Sequence, residues 1–159
     1  MTVTVYRLGK KKHAKEHFSG AGGLYADGRW TRRGRPLVYT SESIALAVLE
    51  YTANYQVRGW VPASVLARAT IPDGIAVESV EIAKLPANWY DPVAPDVLRD
   101  FGTDWLDRGA AVALKVPSAI VQKESNYLLN PAHPDFARLE FSATEPFAVD
   151  NRIARARRR

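Results

Sequence analysis

Cysteine is absent from this chain of 159 residues, which excludes disulfides, thiolate metal sites and cysteine nucleophiles. Histidine is scarce, at three residues. His13 and His17 have the i, i+4 spacing a helical metal site uses, but the stretch around them is lysine-rich and offers no third ligand, so it reads as solvated. No apolar run approaches the roughly 20 residues of a membrane span. The first residues alternate as a strand does and do not resemble a signal peptide, so the cytoplasm is the expected compartment. Three familiar motifs are also missing: Gly-x-Ser-x-Gly, the Walker-type Gly-x-x-x-x-Gly-Lys-Ser/Thr, and Gly-x-Gly-x-x-Gly after a strand. Gly20, Gly22 and Gly23 follow Phe18-Ser19 and not an apolar strand. Internal repeats, low-complexity segments and long linkers are lacking too.

What remains is ordinary for a globular protein, with 47% apolar and 25% charged residues and enough length for one domain with a real core. The net charge of +5 suggests nucleic acid until its distribution is considered. Arg152, Arg155, Arg157, Arg158 and Arg159 crowd the last eight residues, and without them the body is close to neutral; Lys10, Lys11, Lys12 and Lys15 form a second cluster. The expected organisation is a single domain over residues 1–150 followed by a basic tail over 151–159. That tail reads as a mobile terminus able to touch an acidic partner or DNA backbone.

Residues 2–8 alternate, with Val3 and Val5 on one face and Tyr6 on the other, as in a strand. Residues 9–36 form a long loop with a short helical piece near 14–17, and long loops in compact domains are often functional. Residues 37–40 read as a short strand. Thr40 or Ser41 then caps a helix to about Tyr55, with Glu42 in its first turn. Ile44, Val48, Tyr51 and Tyr55 share one face of it, and Ala45, Leu46, Ala47 and Leu49 make the rest apolar, so burial on most sides is expected. Residues 65–71 and 75–82 read as two strands joined by the Pro-Asp-Gly turn at 72–74. Residues 92–106 suggest an amphipathic helix ending near Arg108-Gly109. Strands follow at 111–116, broken by Pro117, and then at 119–121, 139–141 and 146–149. With strands at both ends and few helices, the class is α+β.

Chemistry concentrates in Gly28-Arg29-Trp30-Thr31, Val38-Tyr39-Thr40-Ser41 and the apolar run that closes on Glu50. Arginine's planar fork suits phosphate oxygens, so Arg7 and Arg29 could hold a pyrophosphate; either alone could equally make a surface salt bridge. Tyr39 could stack on a flat ring or be half-buried core. Glu50, on the shoulder of an apolar stripe, needs a partner or a proton. It could stabilise a ribosyl cation or form a structural pair with an arginine. Ser118, after Val-Pro, could bond a substrate or be a plain turn residue. Composition and spacing alone stop at a nucleotide pocket.

Six segments in order resemble the RES domain family, named for an arginine, a glutamate and a serine. They are Tyr6-Arg7, Gly28-Arg29-Trp30, Val38-Tyr39-Thr40, Ala47-Val48-Leu49-Glu50, Val116-Pro117-Ser118 and Asn126-Tyr127-Leu128-Leu129-Asn130-Pro131, with His133-Pro134-Asp135-Phe136 following. The resemblance implies a fold similar to ADP-ribosyltransferases and the toxin of a bacterial toxin–antitoxin pair that depletes NAD+ by hydrolysis or phosphorolysis. An alternative within the family is mono-ADP-ribosylation of a cellular protein; a different class is a non-catalytic basic module. Arg29, Tyr39 and Glu50 are then the catalytic candidates, and Arg7, Ser118 and Asn126 the substrate-binding ones. NAD+ enters as substrate, with no cofactor or metal. The expected partner is an Xre-type helix-turn-helix antitoxin that blocks the site, nucleic acid being met only through it. Arginine-specific transferases carry Glu-x-Glu, whereas Val48 stands two positions before Glu50, which disfavours an arginine acceptor.

Overall fold

The computed structural model describes residues 1–54 and 62–154. Alternating apolar residues build its strands, and eight of them join one sheet: β1 (Val3–Lys10), β2 (Val38–Ser41), β3 (Ser64–Ile71), β4 (Val77–Ser79), β5 (Ala113–Pro117), β6 (Ser125–Leu129), β7 (Glu140–Phe141) and β8 (Glu145–Phe147). Their order is β4-β5-β6-β2-β1-β3-β7, with β8 sharing the outer edge of β3. All neighbours are antiparallel except β4 and β5. Among the described residues four α-helical segments accompany the sheet: α1 (Gly22–Tyr25), α2 (Ile44–Ala53), α3 (Leu98–Arg108) and α4 (Asn151–Ala154). This is the α+β class that the element pattern implies.

The sheet nearly parts between β1 and β2. These strands share the single register pair Tyr6↔Ser41, whereas β1 and β3 pair from Val3↔Ile71 to Lys10↔Ser64. Alternation sends Val5, Val38, Ala69 and Leu129 into one core on one face. On the other face Leu8 and Leu66 pack with Ala47 and Tyr51 of α2, and Leu114, Val116 and Leu128 pack with Trp30, Trp89, Leu98 and Trp105. The candidate site lies on that second face.

Several expectations are corrected. Neither Thr40 nor Ser41 caps α2; both belong to β2, and Ser43 caps the helix by accepting from the Leu46 N–H at 3.1 Å. The α2 helix buries one side only, through Leu46, Ala47, Tyr51 and Thr52, while Ile44 and Leu49 are 39% and 36% exposed. Its expected end at Tyr55 lies outside the described residues. The Pro-Asp-Gly turn exists, with Gly74 at φ 83°, but it joins no hairpin, because β4 pairs in parallel with β5. Residues 92–97 lie ahead of α3 as bends and a single turn at 96–97, since Pro92 and Pro95 lack an N–H to donate. The α3 helix ends at Gly109 in the left-handed region (φ 59°), as the Arg-Gly pair implied. Residues 119–121 are a turn and not a strand, and β6 had no counterpart in the periodicity reading. His17 is buried, although its surroundings suggested solvent.

Candidate active site

The centre of the site is the Glu50 carboxylate, carried in the last turn of α2 over the sheet. Its Oε1 accepts from the Ser118 hydroxyl at 2.9 Å and from the Asn126 side-chain amide at 2.6 Å. All hydrogen bonds recorded to Glu50 among the described residues fall on that one oxygen, which leaves Oε2 for a ligand. Asn126 is itself fixed, because its Oδ1 accepts from Ser41 Oγ at 2.7 Å. Ser41 and Asn126 are direct cross-strand partners, so the sheet register aligns this chain of bonds.

Ser118 is fully buried (0% exposed). Besides donating to Glu50, its oxygen accepts from the Ile120 and Val121 N–H groups at 3.1 and 3.0 Å. The hydroxyl is therefore both a turn-forming group and an anchor for the carboxylate, and it has no surface for substrate.

Arg29 reaches the site from the loop before β2. Its Nη1 donates to the Trp89 carbonyl at 3.1 Å, and its Nη2 to the carbonyls of Asp91 and Pro92 at 2.9 and 3.3 Å. Burial lowers its pKa from the usual value, and the charges of Glu50 and Asp91 oppose that shift. Backbone carbonyls align the guanidinium while leaving its charge unneutralised by an ion pair among those bonds, so it retains a field for an anion.

Tyr39 is half-buried, and burial raises its phenol pKa, so it remains neutral. Its hydroxyl lies 3.4 Å from Thr31 Oγ1. The loop passes so close to it that a Cβ on Gly28 would fall 2.0 Å from the Tyr39 hydroxyl oxygen. Only glycine fits there. The aromatic face and the arginine are thus brought together by one close backbone approach.

Arg7 leaves β1 on the side of Val5, at the place where the sheet parts. Its Nη1 donates to the Tyr39 carbonyl at 3.1 Å and its Nε to the His17 carbonyl at 2.9 Å. The side chain spans a gap that ladder bonds do not close. His17 returns the contact, its Nε2 donating to the Arg7 carbonyl at 3.0 Å. Burial, then the Arg7 charge, lowers the His17 pKa to about 4.

The structure thus joins Ser118 and Asn126 directly to Glu50, sets Arg29 and Tyr39 within its field, and ties Arg7 to the Tyr39 backbone. Ser41, Arg99 and His17 are supporting groups outside the set of candidate site residues. Arg99 donates through Nε to the Gly28 carbonyl at 3.1 Å. Only Ser41 carried a usable signal, since pairing the strand of Tyr39 with that of Asn126 places it opposite the amide. Of the basic tail, Arg152 pairs with Asp150 at 3.0 Å, and residues 155–159 lie outside the described residues. Among the described residues no helix is long and apolar enough to cross a membrane.

A family model of the RES domain matches residues 4–150. A protein of Photorhabdus laumondii described as "Toxin Res" is 32% identical over 157 residues, covering 98% of this chain and 100% of its own length. A protein of Sphingobium sp. (strain YBL2) described as a "Prs ADP-ribosylating toxin" is also 32% identical, over 160 residues, covering 98% of this chain and 99% of its own. A chain from the crystal structure of the M. tuberculosis MbcT–MbcA toxin–antitoxin complex superposes with a TM-score of 0.74 at 16% identity, covering 92% of this chain and 85% of that one.

Proposed function

Since the chain belongs to the RES domain family, we propose that it is the toxin of a toxin–antitoxin pair and that it cleaves the bond between nicotinamide and ribose in NAD+. The observation that carries this reading is the Glu50 carboxylate, held through Oε1 by Ser118 and Asn126 with Oε2 left for a ligand. As the bond breaks, its electron pair passes to the nicotinamide nitrogen and cancels that ring's charge. The ribosyl carbon becomes cationic, as in glycoside cleavage. Glu50 Oε2 accepts a ribose hydroxyl hydrogen bond and faces the growing positive charge with a fixed negative one. Tyr39 stacks on the nicotinamide side. Arg29 attracts the pyrophosphate, and Arg7 holds the strand that carries Tyr39. Water then bonds to the ribosyl carbon and passes a proton to the solvent, or inorganic phosphate bonds to it through an anionic oxygen and cancels its charge.

A second reading, transfer of ADP-ribose to a protein, is favoured by the description of the Sphingobium relative. The partner that neutralises the toxin is an antitoxin of Xre helix-turn-helix type covering the site, in line with the complex from which the structural neighbour comes.

Purified protein incubated with NAD+, with and without phosphate, separates these readings. ADP-ribose marks hydrolysis, ADP-ribose 1″-phosphate marks phosphorolysis, and a labelled band in lysate with little free product marks protein transfer. Glu50→Gln is expected to lower kcat about 1000-fold while NAD+ affinity stays within about threefold, a loss confined to the transition state. An unchanged NAD+ pool under every condition sinks the proposal.

A further inference from the structure

We propose that Arg99 is a positioning residue that holds the Gly28–Arg29 backbone in its site geometry, so that Arg29 acts only while Arg99 is in place. This rests on the reading of Arg29 as an NAD+-binding group. The loop over residues 28–32 lies along α3 and is tied to it at both ends. At one end Arg99 Nε donates to the Gly28 carbonyl at 3.1 Å, and Arg99 Nη1 to Asp96 Oδ1 at 3.0 Å. At the other end Arg32 pairs with Asp96 and Asp100 at 3.1 and 3.0 Å. Between them the Gly102 N–H donates to the Trp30 carbonyl at 3.0 Å.

These ties are unequal. The Arg32 pairs are 45–71% exposed, and such pairs contribute little. The Arg99 side chain is only 23% exposed, and its bond goes to the backbone immediately before Arg29. That carbonyl belongs to the glycine that touches Tyr39. Moving it shifts both the arginine and the wall of the aromatic platform. Arg99 also stands near enough to Arg29 for the two cations to repel. The fork geometry matters as well: one guanidinium reaches Gly28 and Asp96 together, which a lysine ammonium on a single point does less well.

The test combines a double-mutant cycle with hydrogen exchange. Arg99→Met is expected to raise KM for NAD+ about tenfold with kcat within about threefold, Arg99→Lys to recover less than half of that loss, and Arg99→Met to add under twofold in an Arg29→Met background. The amides of residues 28–32 should exchange faster in Arg99→Met while those of β1 and β3 keep their protection. Independent, multiplying effects of the two arginines, or unchanged exchange at 28–32, overturn the proposal. The exchange result stands even where wild-type protein leaves NAD+ intact, which is instead the failure of the NAD+ reading. If Arg99→Met does not fold, Arg99→Lys carries the same comparison.

Discussion

Ser118 commits its whole hydroxyl inside the protein: the proton goes to Glu50, and the oxygen lone pairs go to the Ile120 and Val121 N–H groups. Replacing it by alanine removes one charge-assisted bond and leaves those two amides short of an acceptor, at a cost of about 2–4 kcal/mol by the usual penalty for such groups. A carboxylate freed from one of its two anchors loses its angle to the ribose, which is worth about 10–100-fold in kcat with KM little changed. Urea melts and NAD+ turnover of Ser118→Ala measure the two losses. A drop in stability with kcat intact would make Ser118 a turn residue and nothing more. Of the two roles open to this serine in the sequence, the turn role is present, and the same oxygen atom serves Glu50 in place of a substrate. Glu50, Asn126 and Ser118 were legible as a set only through their order along the chain, because they lie on separate elements. Arg99 was not legible, and Ser41 only once the strands of Tyr39 and Asn126 are paired. Ser41 acts through strand register and Arg99 through a tertiary contact 71 residues away, and neither leaves a local pattern.

At the scale of elements, residues that punctuate were read better than residues that fill. Gly109 ends α3 and Pro-Asp-Gly makes its turn, since both act through their own backbone. Which strand pairs with which was beyond that reach: the outer edge of β3 is occupied by β7 and β8, so the chain after the turn goes on to β5. The apolar run of α2 misled for a related reason. Apolar residues are permitted on exposed surfaces, so a helix rich in them need not be covered on every side. Gly102 shows how tertiary contact reverses a local rule. Glycine to alanine inside a helix ordinarily gains up to about 1 kcal/mol. Here the new Cβ would stand 2.1 Å from the Trp30 carbonyl oxygen, so the 28–32 loop must lift off α3. Gly102→Ala is therefore expected to lose about 2 kcal/mol, within the usual cost of overpacking, and to raise KM for NAD+ through the displaced Arg29. A thermal melt decides it, and a higher Tm would refute the close approach.

The whole molecule should record His17 in its response to acid. Free histidine titrates near 6.5, and in the fold this one is lowered to about 4, first by burial and then by the neighbouring Arg7 charge. Between those values the unfolded chain binds a proton that the folded one refuses, so unfolding takes up protons and stability falls as pH falls. The contribution is complete above pH 6.5 and is lost progressively down to about pH 4. Allowing for partial solvent screening, it is about 2 kcal/mol. The exposed carboxylates act elsewhere on the scale. Asp73, Asp96 and Asp150 are held below the usual carboxylate range by the N-terminal ammonium, Arg32 and Arg152 respectively, so what they contribute is lost only in stronger acid. The two windows are separable by experiment. His17→Gln keeps an amide able to donate to the Arg7 carbonyl but cannot titrate. Urea unfolding free energies measured from pH 7 to pH 4 should slope downward for wild type and run nearly flat for His17→Gln. Equal slopes for the two proteins would mean that His17 is solvated in solution, and that the clasp between it and Arg7, which bridges the part of the sheet where β1 and β2 diverge, does not form.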